Sequence, residues 1–427
     1  MRLKISNGRV IDPASGLDKQ TDVYIADGRI AALGTAPADF ETSATIDASD
    51  CVVAPGFVDL AARLREPGFE YKATLKSEMA AAAAGGVTSL ACPPDTDPVL
   101  DEPGLVEMLK HRARLPEFAN VYPIGALTTG LKGKHLTEMS ELADAGCVAF
   151  GQATTAIVDT QVMLRAMQYA ATFDYPVWLQ AQDPYLARNG VAHDGEVAAR
   201  LGLAGIPVAA ETIALGTLLL LAQETGVRLH ITRISSAAGL DMLRIGREQG
   251  IKVSCDVSAH HLHLCENDVG FFNAHARLDP PLRSQRDRDA LRQGLADGLI
   301  DALCSDHTPV DDDGKQVPFG EAEAGATGLE LLLPLTLKWA NEMKVPLAKA
   351  LARITSDPAR VLGIKAGTLA VGAAADICIF DPQADVTISR NGLKSQGKNT
   401  PFLGYALPGR VKATLIDGKL VYDGLFS

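Results

Sequence analysis

Val52-Val53-Ala54-Pro55-Gly56-Phe57-Val58-Asp59-Leu60 is an almost unbroken apolar run that carries an aspartate near its end, and it is the first of eight runs of this kind. The others are VTSLAC (87–92), ANVYPIGAL (119–127), CVAFGQ (147–152), PVWLQAQ (176–182), VRLHITRIS (227–235), IKVSCDVS (251–258) and IDALCSD (300–306). Amphipathic or alanine-rich stretches separate them, among them LKSEMAAAAA, GLVEMLKHRAR, DTQVMLRAMQYAATF, AAETIALGTLLLLAQ and GLDMLRIGREQ. A strand buried on both faces reads as a continuous apolar run, and helices between such strands cover a parallel sheet. Eight units in series predict an α/β fold, a (β/α)8 TIM-like barrel over residues 52–366.

The two ends read differently. Residues 1–51 contain short alternating runs around turns such as Ala26-Asp27-Gly28, and residues 367–427 contain short strands around further Asp-Gly turns. Asp-Gly favours the left-handed backbone of a two-residue hairpin loop. Segments of like character at both termini predict one small β-sandwich domain assembled from the two.

The 427 residues are 47% hydrophobic and 22% charged, with a formal net charge of -12 and no cluster of Lys or Arg. That balance argues against nucleic acid or an anionic membrane as partner. The first residues lack the apolar segment of a secretory signal, and the longest apolar run, near Ile213 to Ala222, is too short to span a bilayer. A cytoplasmic protein is expected. The seven cysteines are scattered without a CxxC pair and are read as small buried thiols.

The run PGFVDLAARLREPG (55–68) resembles PGFVDxHxHxREPG of the dihydroorotases of the amidohydrolase superfamily, and the resemblance extends over nearly the whole chain. It implies a metal held by two histidines after strand 1, an aspartate or carboxylated lysine after strand 4, histidines after strands 5 and 6, and an aspartate after strand 8. Here Ala61 and Arg63 stand at the first pair. Gln152 and Ala153 follow strand 4, Gln180 strand 5 and Arg233 strand 6, and only Asp306 keeps a metal-competent side chain at its matching position. Alanine has no donor atom and guanidinium no free lone pair. On this reading Asp306 is a remnant without catalytic partners, no metal or cofactor is expected, and the chain is expected not to be an enzyme.

Substrate positions differ too. Arg65 is retained and suits a carboxylate. The asparagine of MPNTxP is Asp95, that of NPPLR is Asp279, and the histidine ending DHAPH is Val310. Two added acids and a lost donor would weaken binding of a dianion. His260-His261-Leu262-His263 and His230 are read as hydrogen-bonded structural groups, and Cys255 and Cys304 as packing residues.

Loss of the metals would leave Asp59 and Asp306 without positive neighbours, so Arg63 and Arg233 are expected to pair with these aspartates directly or through water. The polar segment 309–325 over the barrel mouth is expected to be either disordered or a contact loop. Non-catalytic dihydroorotase-like chains accompany aspartate carbamoyltransferase, so the resemblance implies its catalytic chain as partner in a hetero-oligomer, with a homodimer also compatible. The alternatives are an amidohydrolase with metal-independent or single-metal chemistry and a sensor of a carboxylated metabolite.

Overall fold

In the computed structural model, which describes residues 2–114 and 118–424, all eight apolar runs contribute a short parallel strand. They are β1 (Phe57–Asp59), β2 (Val87–Cys92), β3 (Asn120–Ala126), β4 (Ala149–Gly151), β5 (Pro176–Leu179), β6 (Arg228–Ile231), β7 (Val253–Ser258) and β8 (Ala302–Cys304). Each pairs with the next in chain order, giving an eight-stranded sheet with β1 and β8 at its ends. Those ends are joined by other backbone. At the mouth, His307 N donates to Ala61 O and Arg63 N to His307 O, both at 2.9 Å. At the opposite end, Val58 N donates to Ile354 O and Leu303 N to Arg353 O.

Helices on the outside bury one apolar stripe against the sheet, and several start at side-chain caps. Thr74 caps Leu75–Ala84, Asp159 caps Thr160–Thr172, Ser236 caps Ala237–Glu248 and Ser284 caps Gln285–Asp297. Each cap gives an acceptor to an amide that has no partner within the helix, typically contributing about 1 kcal/mol.

The run 52–60 is two strands, not the single barrel strand expected. Val52–Pro55 lies in the terminal sheet, between Ile377–Thr387 and Arg9–Asp12, and the chain enters the barrel only after Gly56. A Cβ at Gly56 would sit 2.2 Å from the Thr88 side chain, so the crossing needs glycine. Apolarity continues through the break because both sheets bury their strands there.

The termini build two sheets. One has four strands, Arg29–Leu33, Val23–Ala26, Arg2–Ser6 and Ala44–Asp47. The other has six, including Arg9–Asp12 and Leu17–Gln20 from the N-terminal part and Ile377–Thr387, Ala406–Ile416 and Lys419–Asp423 from the C-terminal part. Leu3, Ile5, Val23 and Ile25 meet Val53, Ile377, Ile379 and Leu415 in their shared core. The six-stranded sheet also presents Phe380 to Phe57 of the barrel, ring centroids 6.2 Å apart. The Asp27-Gly28 and Asp417-Gly418 turns have positive φ at both residues, as a two-residue hairpin requires.

The segment 309–325 is tied down. Buried Lys315 donates to the carbonyls of Ala274, Arg277 and Glu323, and Phe319 packs with Val269 and Val197. Burial pushes the Lys315 ammonium down to about 7. All seven cysteines are free and buried.

Candidate functional site

Side chains from the C-terminal ends of the strands converge at the mouth, as barrel geometry requires. Backbone at four of these positions is left-handed without being glycine: Arg65 (φ 63°), Ala153 (φ 51°), Arg233 (φ 56°) and Asp306 (φ 49°). Each such residue costs on the order of 1–3 kcal/mol, and such strain gathers at sites where side chains must be aimed.

Arg233 is the centre of the arrangement. Its Nη1 donates to Asp306 Oδ1 at 3.0 Å and to the Asp279 carbonyl at 3.2 Å, and its Nη2 donates to Gln180 Oε1 at 2.7 Å. Gln180 Nε2 in turn donates to Asp279 Oδ1 at 3.1 Å. Burial opposes the guanidinium charge, and the carboxylates of Asp306 and Asp279 more than offset it, holding Arg233 above its ordinary value. Arg63 donates from Nε to Asp95 Oδ2 at 2.7 Å and from Nη1 to Thr308 Oγ1 at 3.1 Å, with Asp306 Oδ1 3.9 Å away. Burial opposes ionisation of Asp95, yet Arg63 and Arg65 hold it below the usual carboxylate range.

The expected pairing thus exists for Asp306 and differs for Asp59. Asp59 is fully buried and accepts from Ser305, from its amide at 2.7 Å and from its hydroxyl. Burial raises its pKa despite those bonds. Arg63 is turned instead to Asp95, a partner read from the sequence only as an altered substrate position.

The remaining positions fall into place around this network. Gln152 exchanges hydrogen bonds with the Thr128 hydroxyl. Arg65 Nε donates to the Pro309 carbonyl at 2.9 Å, and burial, with Arg63 nearby, pushes its pKa down to about 10. Val310 is buried, its amide held by Asn399 Oδ1 at 3.0 Å. Ala61, Ala153, Pro94 and Trp178 join Arg63 and Arg233 around a cavity of about 40 Å³, room for a water or two.

A two-metal centre does not fit this donor set. Among the described residues no group of three or more His, Cys, Asp or Glu is placed to hold an ion, and a catalytic zinc takes about three protein ligands. Asp306, expected from the resemblance to be the one remaining ligand, is bonded to Arg233.

Of the neighbouring histidines, His230 sits between Ser254 Oγ (2.8 Å) and Asp256 Oδ2 (2.9 Å). His261 Nε2 meets the carbonyls of Pro280 and Pro281, and His263 Nε2 that of Leu335. His260 departs from the hydrogen-bonded reading: it is buried, stacks on Phe402, and neither ring nitrogen has a partner among the described residues. His307 is held at both ring nitrogens, an arrangement that no motif in the sequence announces. Its Nδ1 accepts from the Gly328 amide, which leaves the Nε2 proton to donate to Glu78 at 2.6 Å.

Comparison with known proteins gives a consistent picture. Residues 50–238 match the family described as Dihydro-orotase-like. The chain is 46% identical over 424 residues to the "Dihydroorotase-like protein" of Pseudomonas aeruginosa, covering 99% of this chain and 100% of that one. It is 41% identical over 424 residues to a "Dihydroorotase" of Syntrophotalea carbinolica, covering 99% of each. Among solved structures, the L-hydantoinase (dihydropyrimidinase) of Arthrobacter aurescens superposes with a TM-score of 0.86 at 26% identity, covering 99% of this chain and 96% of that one. These findings correct one expectation. From the ligand positions the chain is expected not to be an enzyme; relatives 40–41% identical to it over 423–424 residues, each named "Dihydroorotase", overturn that expectation.

Proposed function

Because this chain belongs to the dihydroorotase-like family of the amidohydrolase superfamily, we propose that it is a structural subunit that associates with the catalytic chain of aspartate carbamoyltransferase in the cytoplasm. There it supports assembly and activity of that enzyme in pyrimidine biosynthesis. The observation that carries this reading is the mouth itself: Arg233, at a position where the resemblance implies a metal ligand, is bonded to Asp306, Gln180 and the Asp279 carbonyl. An internally satisfied mouth shifts weight from pocket to surface as the place where the chain's role lies. This reading concerns what the chain assembles with and holds whether or not the mouth turns over a substrate.

The test is absolute mass by light scattering after size exclusion of this chain mixed with aspartate carbamoyltransferase from the same organism. A stable mixed particle with several copies of each is expected. Two separate peaks at micromolar concentration would overturn the proposal.

A second reading rests on the enzyme names of the relatives and on the left-handed backbone at the strand ends. It is amidohydrolase chemistry on a cyclic amide or a related carboxylated ligand, with Arg63 and Arg233 supplying positive charge to a developing oxyanion. Chelator-treated protein that opens dihydroorotate or hydantoin, and loses that activity on Arg233→Met, would support it. Turnover that appears only when metal is added back would overturn it.

A further inference from the structure

Ser254, His230 and Asp256 form a hydrogen-bonded line inside the barrel. His230 stands opposite Ser254 on the neighbouring strand, and Asp256 follows two residues along β7. Ser254 Oγ lies 2.8 Å from His230 Nδ1, and Asp256 Oδ2 lies 2.9 Å from His230 Nε2. Asp256 Oδ1 accepts from the Arg233 amide at 2.8 Å and from the Cys304 thiol at 3.4 Å. A carboxylate only accepts, so the ring proton sits on Nε2, and Nδ1 is left to accept from the Ser254 hydroxyl. A base bonded to the hydroxyl and a third group that orients the base are the parts of an activated serine. In serine hydrolases Nε2 faces the hydroxyl; here the ring is turned over and the two nitrogens exchange roles. His230 and Asp256 are buried, whereas Ser254 is half-buried and lines a hollow of about 360 Å³. Pro176 and Arg228, the first residues of β5 and β6, also line it and place it at the floor of the barrel, opposite the mouth.

We propose that Ser254 is an acyl-accepting nucleophile at the barrel floor and that its donor is an acyl phosphate. Arg228, Lys252 and Arg360 line the hollow against one carboxylate, Asp301. Asp174 pairs with Arg228, Asp301 with Arg247, and Asp357 with both Arg353 and Arg360, so the floor keeps a cationic excess in a chain of net charge -12. Such an excess draws a donor whose leaving group is an anion. In the step, Ser254 Oγ bonds to the carbonyl carbon and its proton passes to His230 Nδ1. The bond from that carbon to the bridging oxygen breaks, its electron pair leaves on phosphate, and the His230 proton is given up to phosphate or to solvent. Water then cleaves the acyl ester to a carboxylic acid and restores the hydroxyl, with His230 again taking and returning the proton. Trp178 lines the same hollow, and its buried indole N–H, without an acceptor among the described residues, is available to the carbonyl oxygen as negative charge develops there. The chemistry of barrel enzymes lies at the opposite end, so this floor site is separate from the mouth and from the assembly proposed above.

The probe is acetyl phosphate, given to the full chain alone, so the outcome does not depend on the transferase. Acetyl on Ser254, located by peptide mass spectrometry, and acetate released above the spontaneous rate are added and read as one rate. Ser254→Ala is expected to bring that rate to the spontaneous level while the chain keeps its fold by circular dichroism. His230→Gln, which retains a donor for Asp256, is expected to slow it about 100-fold, within the range that general-base assistance supplies. A parent rate no faster than the spontaneous one, a Ser254→Ala rate equal to the parent, acetyl found on Lys252 and not on Ser254, or a folded His230→Gln variant as fast as the parent would each overturn the proposal. Ser254→Ala decides the question by itself where His230→Gln fails to fold.

Discussion

Arg233 and Asp306, just past the ends of strands β6 and β8, form a buried ion pair with Nη1 3.0 Å from Oδ1, and both side chains are about 95% removed from solvent. Neither charge could remain there alone. Breaking a buried pair from one side typically costs about 3–5 kcal/mol, because the survivor keeps its desolvation penalty. Arg233→Met is therefore expected to lose stability in that range at neutral pH, measured by urea unfolding. Arg233→Met combined with Asp306→Asn is expected to recover most of the loss, since the two positions are strongly coupled. Additive losses in the double variant would show that the pair is not the unit described.

Ala153 holds a left-handed backbone, φ 51°, that glycine adopts without strain. Ala153→Gly is expected to stabilise the chain by roughly 0.5–1 kcal/mol, the reverse of the usual effect of glycine. A midpoint shift to higher urea at constant slope checks it.

Three histidines set an acid limit. Burial, with the His261, His263 and His307 rings and Lys315 nearby, pushes His260 down to about 3, burial pushes His261 down to about 4, and burial pushes His263 down to about 4. Each is neutral in the fold and protonated in the unfolded chain between its folded value and about 6.5. The unfolded state then binds more protons, so stability rises with pH across that window and falls as pH drops from about 6.5 toward 4. Near pH 5 about three protons are taken up on unfolding, a slope of roughly 4 kcal/mol per pH unit. Urea midpoints at several pH values measure it, and His260→Leu is expected to remove about one proton from the slope. A slope unchanged by that variant would show His260 to be protonated or bonded in the fold.

Glu78 carries the opposite sign. Burial raises its pKa, but His307, Ser395 and Ser77 together more than offset that and hold it below its ordinary value. A depressed carboxylate contributes stability above its unfolded value of about 4.3, and the contribution is lost as pH falls through the folded value. Glu78→Gln is expected to destabilise at pH 7, and the difference from the parent is expected to shrink as pH falls below about 4.3. Hydrogen exchange is expected to localise the loss to the 393–401 segment, which the Ser395 and Gln396 bonds to Glu78 tie to the first barrel helix.

With no donor set for a two-metal centre among the described residues, prolonged dialysis against EDTA is expected to leave the melting temperature within about 2 °C of the untreated chain. A chelator that removed a structural ion would lower it far more. Elemental analysis of the same samples distinguishes an absent metal from one held too tightly to extract.

The barrel was legible from the sequence because a strand covered on both faces must be apolar throughout, and each of the eight runs has one. Where two sheets bury the same stretch, that signal loses its edges, which is why the division at Gly56 within 52–60 was not visible. The Arg233–Asp306 pair followed from charge alone, since a buried guanidinium needs a carboxylate. The roles of Asp95 and Ser305 did not. Asp95 reaches Arg63 from 32 positions away and Ser305 reaches Asp59 from 246, and no local pattern announces contacts that depend on which strand ends face each other. His260 differs from the hydrogen-bonded expectation for a related reason: its ring face packs on Phe402, not a local neighbour but one brought there by the fold, and both ring nitrogens lack a partner among the described residues.

The mouth holds two arginines, Arg63 and Arg233, with two aspartates, Asp95 and Asp279, beside them, and Arg63 meets Asp95 directly at 2.7 Å. Such a set resists exchange one residue at a time. A neutral side chain at 63 alone would strand Asp95, and one at 233 alone would strand Asp306 beside Asp279, each giving a less stable chain. The mouth is held in place by its own neutrality, as a lock whose pins are ion pairs.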